Sequence, residues 1–225
     1  MLQARLDRIH ERIRQACQRC GRDPSSVTLI AVTKGVSPEL IREAVRCGVT
    51  HVGENRVQEA VAKQAALGAL PVRWHLIGHL QRNKARRAAE LFDVVQSVDS
   101  TTLASDLDRH AAARSRALDI MIQVNLSGET TKFGCQPQET ATLAAAIAAA
   151  RGLRLLGLMT IAPFSDDPER ARPVFQQLRR LRDQLQPAAP SPLSLSMGMS
   201  QDVEVAIEEG ADLVRIGTAI FGERP

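Results

Sequence analysis

The 225 residues carry 29 Lys and Arg against 25 Asp and Glu, a formal net charge of +4, with 44% hydrophobic and only 3% aromatic residues. Those shares belong to a globular chain and exclude a disordered or fibrous one, and no apolar run approaches the roughly 18–20 residues that a membrane span needs. Arg5, Asp7, Arg8, Glu11, Arg12 and Arg14 break up the first twenty residues, so no secretory apolar core is present and the cytoplasm is the expected location.

Arg5, Arg8, Arg12, Arg14, Arg19 and Arg22 crowd the N-terminal segment; Arg82, Lys84, Arg86 and Arg87 form a second basic group, and Arg179, Arg180 and Arg182 a third. Such clusters are the footprint of a nucleic-acid binder. Acidic residues are interspersed among them, however, and few aromatics are available to stack bases, so solvated helix faces are expected and a nucleic-acid partner is not. Cys17 and Cys20 form a lone C-x-x-C, and Cys47 and Cys135 stand apart. A zinc site needs a second ligand pair; none is evident, so packed thiols and no metal are expected.

Leu2, Leu6, Ile9, Ile13, Ala16 and Cys20 recur at helical spacing, which predicts an amphipathic helix over 2–20 ahead of the first strand. Residues 27–32 (VTLIAV) read as a buried strand with Lys34 directly behind it. Ser37, Pro38 and Glu39 open a helix as N-cap, first helical residue and dipole partner, and Gly48 suits its far end. A strand at 50–53 and a helix at 55–67 follow. Strand 72–78 precedes a basic helix at 83–91, and strand 94–98 a helix at 101–115. Strand 118–125 precedes an alanine-rich helix at 137–150. Strand 153–159 leads to a helix that starts at Asp167 and carries Val174, Leu178, Leu181 and Leu185 on one face. Residues 187–192 (PAAPSP) predict a rigid loop. Strand 193–197, a short helix at 201–209 ended by Gly210, strand 213–216 and Gly217-Thr218-Ala219-Ile220-Phe221 complete the pattern.

Regular alternation of strands and helices predicts a parallel sheet. Eight such units predict an α/β fold of (β/α)8 TIM-barrel type, with an extra N-terminal helix and residues 1–225 forming one domain. The competing open sheet would normally show a glycine-rich first turn; the turn here is Val32-Thr33-Lys34-Gly35.

Barrel enzymes keep their chemistry at the C-terminal ends of the strands. Those ends carry Lys34, Glu54-Asn55, His79, Asp99, Asn125, Met159-Thr160, residues 196–200 and Gly217-Thr218. Lys34, amid apolar strands and near Arg215, would have its charged form disfavoured by desolvation and by the neighbouring cation. An amine so activated condenses with aldehydes, although a strand-end lysine taken alone more often snorkels to water. Gly217 lets backbone amides approach an anion, a helix starting there adds its dipole, and Ser196 and Ser200 offer hydroxyls. The sequence shows no Walker, H-E-x-x-H or G-x-S-x-G motif.

Seven segments, in order and spread over nearly the whole chain, carry a resemblance. They are Ala31-Val-Thr-Lys34, His51-Val-Gly-Glu-Asn-Arg-Val-Gln-Glu59, Trp74-His-Leu-Ile-Gly-His-Leu-Gln-Arg-Asn-Lys84, Gly128-Glu-Thr-Thr-Lys-Phe-Gly134, Gly157-Leu-Met-Thr160, Leu195-Ser-Met-Gly-Met-Ser200 and Val214-Arg-Ile-Gly-Thr-Ala-Ile-Phe-Gly222. With them the chain resembles the pyridoxal phosphate homeostasis proteins of the YggS/PROSC type. It departs from their pattern at His79, where proline is frequent, and at Thr33, where serine often precedes the lysine.

The resemblance implies a barrel like the N-terminal domain of alanine racemase, with pyridoxal 5′-phosphate held as a Schiff base on Lys34. It implies that Arg215 faces the pyridine nitrogen. Ser200, Gly217 and Thr218 would bind the phosphate with Ser196 and Met199 nearby, and Asn55, His75 and Met159 would approach the ring. The implied role is vitamin B6 homeostasis without efficient catalysis, with apo-enzymes that need the cofactor as transient partners. The alternative is a weakly active amino-acid racemase. Efficient inversion at Cα needs acid–base groups on both faces, which the resembling racemases complete with a tyrosine from a second domain. The sequence contains no tyrosine and stops soon after Phe221-Gly222, so the carrier reading and a monomer are expected.

Overall fold

The computed structural model describes residues 1–112, 116–128, 133–189 and 191–222. Residues 129–132 of the fourth matched segment, the end of the predicted 101–115 helix, Pro190 and Pro225 lie outside the described residues.

Helix α1 (Leu2–Arg19) precedes a closed barrel of eight parallel strands, each hydrogen-bonded to the next and the last to the first. The strands are β1 (Thr28–Val32), β2 (His51–Glu54), β3 (Arg73–Leu76), β4 (Val94–Val98), β5 (Leu118–Gln123), β6 (Leu153–Met159), β7 (Ser194–Ser196) and β8 (Leu213–Ile216). The helices between them are α2 (Pro38–Arg46), α3 (Val57–Leu67), α4 (Ala85–Leu91), α5 (Thr101–Ala111), α6 (Thr140–Ala148), α7 (Arg172–Leu185) and α8 (Val203–Glu208), and α9 (Thr218–Phe221) follows β8. Ser37 caps α2 as its sequence predicts, accepting from the Leu40 amide.

The boundaries differ from expectation where side chains capture the backbone. Strand 118–125 stops at Gln123 because Asn125 Oδ1 accepts from the Ser127 amide and hydroxyl, an Asx turn that competes with the ladder. The helices expected from 83, 137 and 167 open instead with 3-10 turns at Arg82–Lys84, Pro137–Glu139 and Pro168–Ala171. Pro187, expected in a loop, stands in a 3-10 turn, Gln186–Ala188, where its missing N–H is not needed. Cys20 is exposed, and Cys17 completes the buried face of α1 in its place.

Apolar side chains pack in two layers. Ile30, Val94, Met121, Met159 and Leu213 fill the barrel interior, while a larger core lies between strands and helices. Helix α1 buries Leu2, Leu6, Ile9, Ile13, Ala16 and Cys17, and its arginines reach across to acids: Arg12 to Glu204, Arg19 to Glu208, and Arg22, beyond its end, to Asp212. Arg172 of α7 meets Glu169, Glu208 and Glu209. Much of the basic clustering is thus spent on docking helices. Among the described residues no helix is long and apolar enough to cross a membrane.

Candidate cofactor site at the C-terminal mouth of the barrel

Alternate residues of a strand face the same side, and on several strands the inward row changes from apolar to polar toward the C-terminal mouth. Ile30 and Val32 continue toward Lys34, Val94 gives way to Gln96, and Leu213 to Arg215. Above this layer opens a cavity of about 540 Å³, within the roughly 300–1,000 Å³ typical of small-molecule sites. Its floor and walls include Val32, Arg215, Asp202, Met199, Ser200, Gly217 and Thr218, with Pro163 and Phe164 as an apolar lip.

Arg215 is 4% exposed. Its Nη1 donates to Ser196 Oγ at 2.7 Å and its Nη2 to the Thr160 carbonyl at 2.8 Å. Burial pulls its pKa down to about 10, against the opposing pull of Asp202, so it remains a cation at neutral pH. The Asp202 carboxyl is pushed up by burial, while the Met199 amide that it accepts from, at 2.6 Å, and Arg215 work the other way. Helix α9 starts at the cavity wall, and its first-turn amides, at Thr218 and Ala219, have no carbonyl to bond within the helix.

Lys34 stands on the turn after β1, in which the Val36 amide bonds the Thr33 carbonyl at 2.9 Å and Gly35 takes φ 67°. A left-handed φ suits glycine alone without strain. The turn lifts Lys34 to the surface, where it is exposed and is not one of the side chains lining the cavity. The fold therefore provides the solvent-reaching position common for a strand-end lysine rather than the desolvation that would activate it. A buried ionic cluster grips the turn from below. Lys63 Nζ donates to the Thr33 carbonyl at 2.5 Å and to Glu54 Oε1 at 2.7 Å, and Thr33 Oγ1 donates to the same carboxylate oxygen at 2.5 Å. Glu59 accepts from the Gly35 amide at 3.4 Å. Burial raises the Glu54 pKa against the downward pull of Lys63 and Thr33, and among the described residues Glu54 Oε2 has no hydrogen-bond partner.

The fold brings Met199, Ser200, Arg215, Gly217 and Thr218 to one cavity. Ser196, His75 and Met159 lie in the barrel interior, each 0% exposed. Ser196 holds Arg215, His75 bonds Gln96 and His51, and Met159 belongs to the apolar interior. Asn55 is half-buried beside Gly78, where a Cβ would meet the Asn55 carbonyl oxygen at 2.3 Å. Gln96, Asp202, Lys63 and the supporting role of Glu54 escape sequence reasoning, although a glutamine inside the apolar strand VVQSV was a legible signal, since buried polar groups find partners.

The family model for the alanine racemase N-terminal domain matches residues 4–225. A pyridoxal phosphate homeostasis protein of Aquifex aeolicus is 45% identical over 221 residues, covering 98% of this chain and 97% of the relative. The chain belongs to the pyridoxal phosphate homeostasis protein family. Its Escherichia coli K12 member is 41% identical over 222 residues, covering 97% of this chain and 95% of the relative. The solved structure of PipY from Synechococcus elongatus, with PLP bound, superposes with a TM-score of 0.86 at 40% identity, covering 99% of this chain and all of that one. Alanine racemase of Clostridium difficile 630 shares the fold, with a TM-score of 0.79 at 15% identity, and this chain spans 57% of it. The family and the eight-stranded barrel are those that the sequence segments imply.

Proposed function

We propose that the chain holds pyridoxal 5′-phosphate at the C-terminal mouth of its barrel, covalently and reversibly through Lys34, and serves vitamin B6 homeostasis rather than efficient catalysis. The observation that carries this reading is Arg215: a buried, donor-only cation on the floor of a cavity of ligand size. The residues fit the group. Two of the five guanidinium N–H donors are engaged with Ser196 and Thr160, and others remain for a ring nitrogen. Ser200, Thr218 and the first-turn amides of α9 offer donors suited to a phosphate. The PipY relative has a structure with PLP bound, which supports pyridoxal 5′-phosphate as the group held.

Lys34 would hold the cofactor through its amine, and the chemistry that the cofactor would supply there is an aldehyde that condenses reversibly with amines, releasing water. Arg215 then sets the character of the site. Because it only donates, a pyridine nitrogen facing it would stay unprotonated, and such a ring would draw electrons weakly. Asp202 spends one oxygen on the Met199 amide, and the sequence contains no tyrosine to serve a second face. These features favour holding the cofactor over turning over amino acids. The reading places the protein in the cytoplasm as a monomer that passes the cofactor to apo-enzymes by transient contact.

The test is an absorbance spectrum of the purified protein with added pyridoxal 5′-phosphate, before and after borohydride, followed by mass mapping. A visible band that bleaches, with the reduced adduct on Lys34 and negligible racemisation of amino acids, is expected. No band, or an adduct on another lysine, overturns the assignment.

A further inference from the structure

An unbroken line of hydrogen bonds crosses the barrel interior beneath the cavity. Arg215 Nη1 donates to Ser196 Oγ at 2.7 Å, and Ser196 Oγ donates to Gln96 Oε1 at 2.6 Å. Gln96 Nε2 meets His75 Nδ1 at 2.9 Å, and His75 Nε2 meets His51 Nδ1 at 2.9 Å. The line joins β8, β7, β4, β3 and β2. His51 begins β2, at the opposite end of the barrel, and there borders a second cavity of about 280 Å³. Ser196, Gln96 and His75 are each 0% exposed, in a layer that barrels of this type usually fill with branched aliphatic side chains.

We propose that Ser196, Gln96 and His75 are positioning residues for the cofactor, a one-way chain of donors that fixes the Arg215 guanidinium at the floor of the cavity and terminates at His51. The proposal rests on the reading that Arg215 meets the ring nitrogen.

One end dictates the direction of the whole chain. Arginine has no acceptor, so the Ser196 oxygen receives its proton and must pass its own single proton onward to Gln96 Oε1. The glutamine then turns its NH2 toward His75, whose Nδ1 must be bare. Burial, reinforced by the nearby His51 and Arg73, keeps His75 neutral, so its one proton sits on Nε2 and is given to His51 Nδ1. Each link of the line thus pairs one donor with one acceptor. Each of these groups also turns its negative end toward Arg215, which supports a guanidinium charge that burial opposes. The side chain is thereby locked from below, with its remaining N–H groups left for the cavity.

The test uses the whole protein. Nitrogen-15 NMR of His75 without cofactor reads the direction: the Nε2–H tautomer is expected, and an Nδ1–H tautomer overturns the one-way chain. Cofactor titrations then compare Gln96→Met, Gln96→Glu and Ser196→Ala. Met has the shape of Gln and packs better in an apolar interior, so a merely space-filling residue would tolerate it. A positioning residue would not, and the Kd for pyridoxal 5′-phosphate is expected to rise about tenfold or more, with a displaced visible maximum, for Gln96→Met and Ser196→Ala. Gln96→Glu keeps the acceptor for Ser196 and is expected to stay within about threefold of wild type, with His75 now protonated on Nδ1. Unchanged affinity and spectrum in both Gln96→Met and Ser196→Ala, alongside an altered Arg215→Gln, overturn the relay alone. A wild type that takes up no cofactor, or an Arg215→Gln variant identical to it, overturns the functional reading and the relay together.

Discussion

Lys63 Nζ lies 2.5 Å from the carbonyl oxygen of Thr33, the residue immediately before Lys34. The ammonium therefore holds the backbone of the turn that carries Lys34, and does so from a helix that follows β2. Its charge is balanced by Glu54, whose carboxylate is also tied to the Thr33 hydroxyl. One buried pair thus couples the first two strands to the presentation of Lys34.

Lys63→Met removes the cation and strands the Glu54 carboxylate. Breaking a buried pair on one side costs about 3–5 kcal/mol, and the loss is expected to be largest at pH 8. It shrinks toward pH 5, because the Glu54 carboxyl, already raised by burial, takes up a proton. Lys63→Met with Glu54→Gln should recover much of the stability yet still capture cofactor more slowly than wild type. Urea unfolding and stopped-flow absorbance read the two effects; equal capture rates would remove Lys63 from any role in presenting Lys34.

Lys34→Ala is expected to abolish the borohydride-trapped adduct while retaining weak, dialysable binding through the Ser200, Gly217 and Thr218 wall. Mass spectrometry before and after dialysis distinguishes the two. A trapped adduct of wild-type yield in this variant would show that another amine carries the cofactor.

His75 should make stability depend on pH with a defined sign. Its folded pKa lies well below the ordinary value of 6.5 because burial disfavours the cation. The unfolded chain consequently binds a proton that the folded chain refuses, so stability is full above about pH 6.5 and falls as pH drops below it. Each such group contributes up to about 1.4 kcal/mol per pH unit. His51, lowered by burial and by Arg73, adds to the trend, while Glu54, Asp99 and Asp202, raised by burial, oppose it at lower pH. The clean readout is the difference between wild type and His75→Gln in urea unfolding from pH 5 to pH 7.5: the variant's profile should be flatter, and parallel profiles would contradict a neutral buried His75.

Gly78→Ala would drive a methyl group into the Asn55 carbonyl, 2.3 Å from the new Cβ. The nearest atoms are backbone and cannot rotate aside, so the start of the segment leading into α3 must move. A loss of about 1–3 kcal/mol is expected, together with weaker cofactor binding if Asn55 borders the ring. Thermal melts and titration measure both, and an unchanged melting temperature would contradict the contact.

The sequence by itself determined the order of elements, because strand and helix periods are local properties of the chain. VTLIAV, LDIMIQVN and the Ser37-Pro38-Glu39 start were readable without any partner, and Lys34, Gly217 and Thr218 could be placed at strand ends by counting. The seven family segments went further and named the cofactor. What no local pattern contains is which inward side chains meet once the sheet closes. Gln96 and Ser196 are 100 residues apart, on strands that are not neighbours, and they touch only because the closed barrel points β4 and β7 at a common axis. The resemblance implies that His75 and Met159 approach the ring and that Ser196 lies near the phosphate, and the pleat and the height of each residue along the axis set all three in the barrel interior. The sequence leaves open whether apolar neighbours desolvate Lys34 or its side chain reaches water, and the turn with its left-handed φ at Gly35 leaves it exposed. Tertiary closure decided these contacts because they depend on tilt and stagger between strands, quantities that a linear sequence constrains only through the sum of its packing.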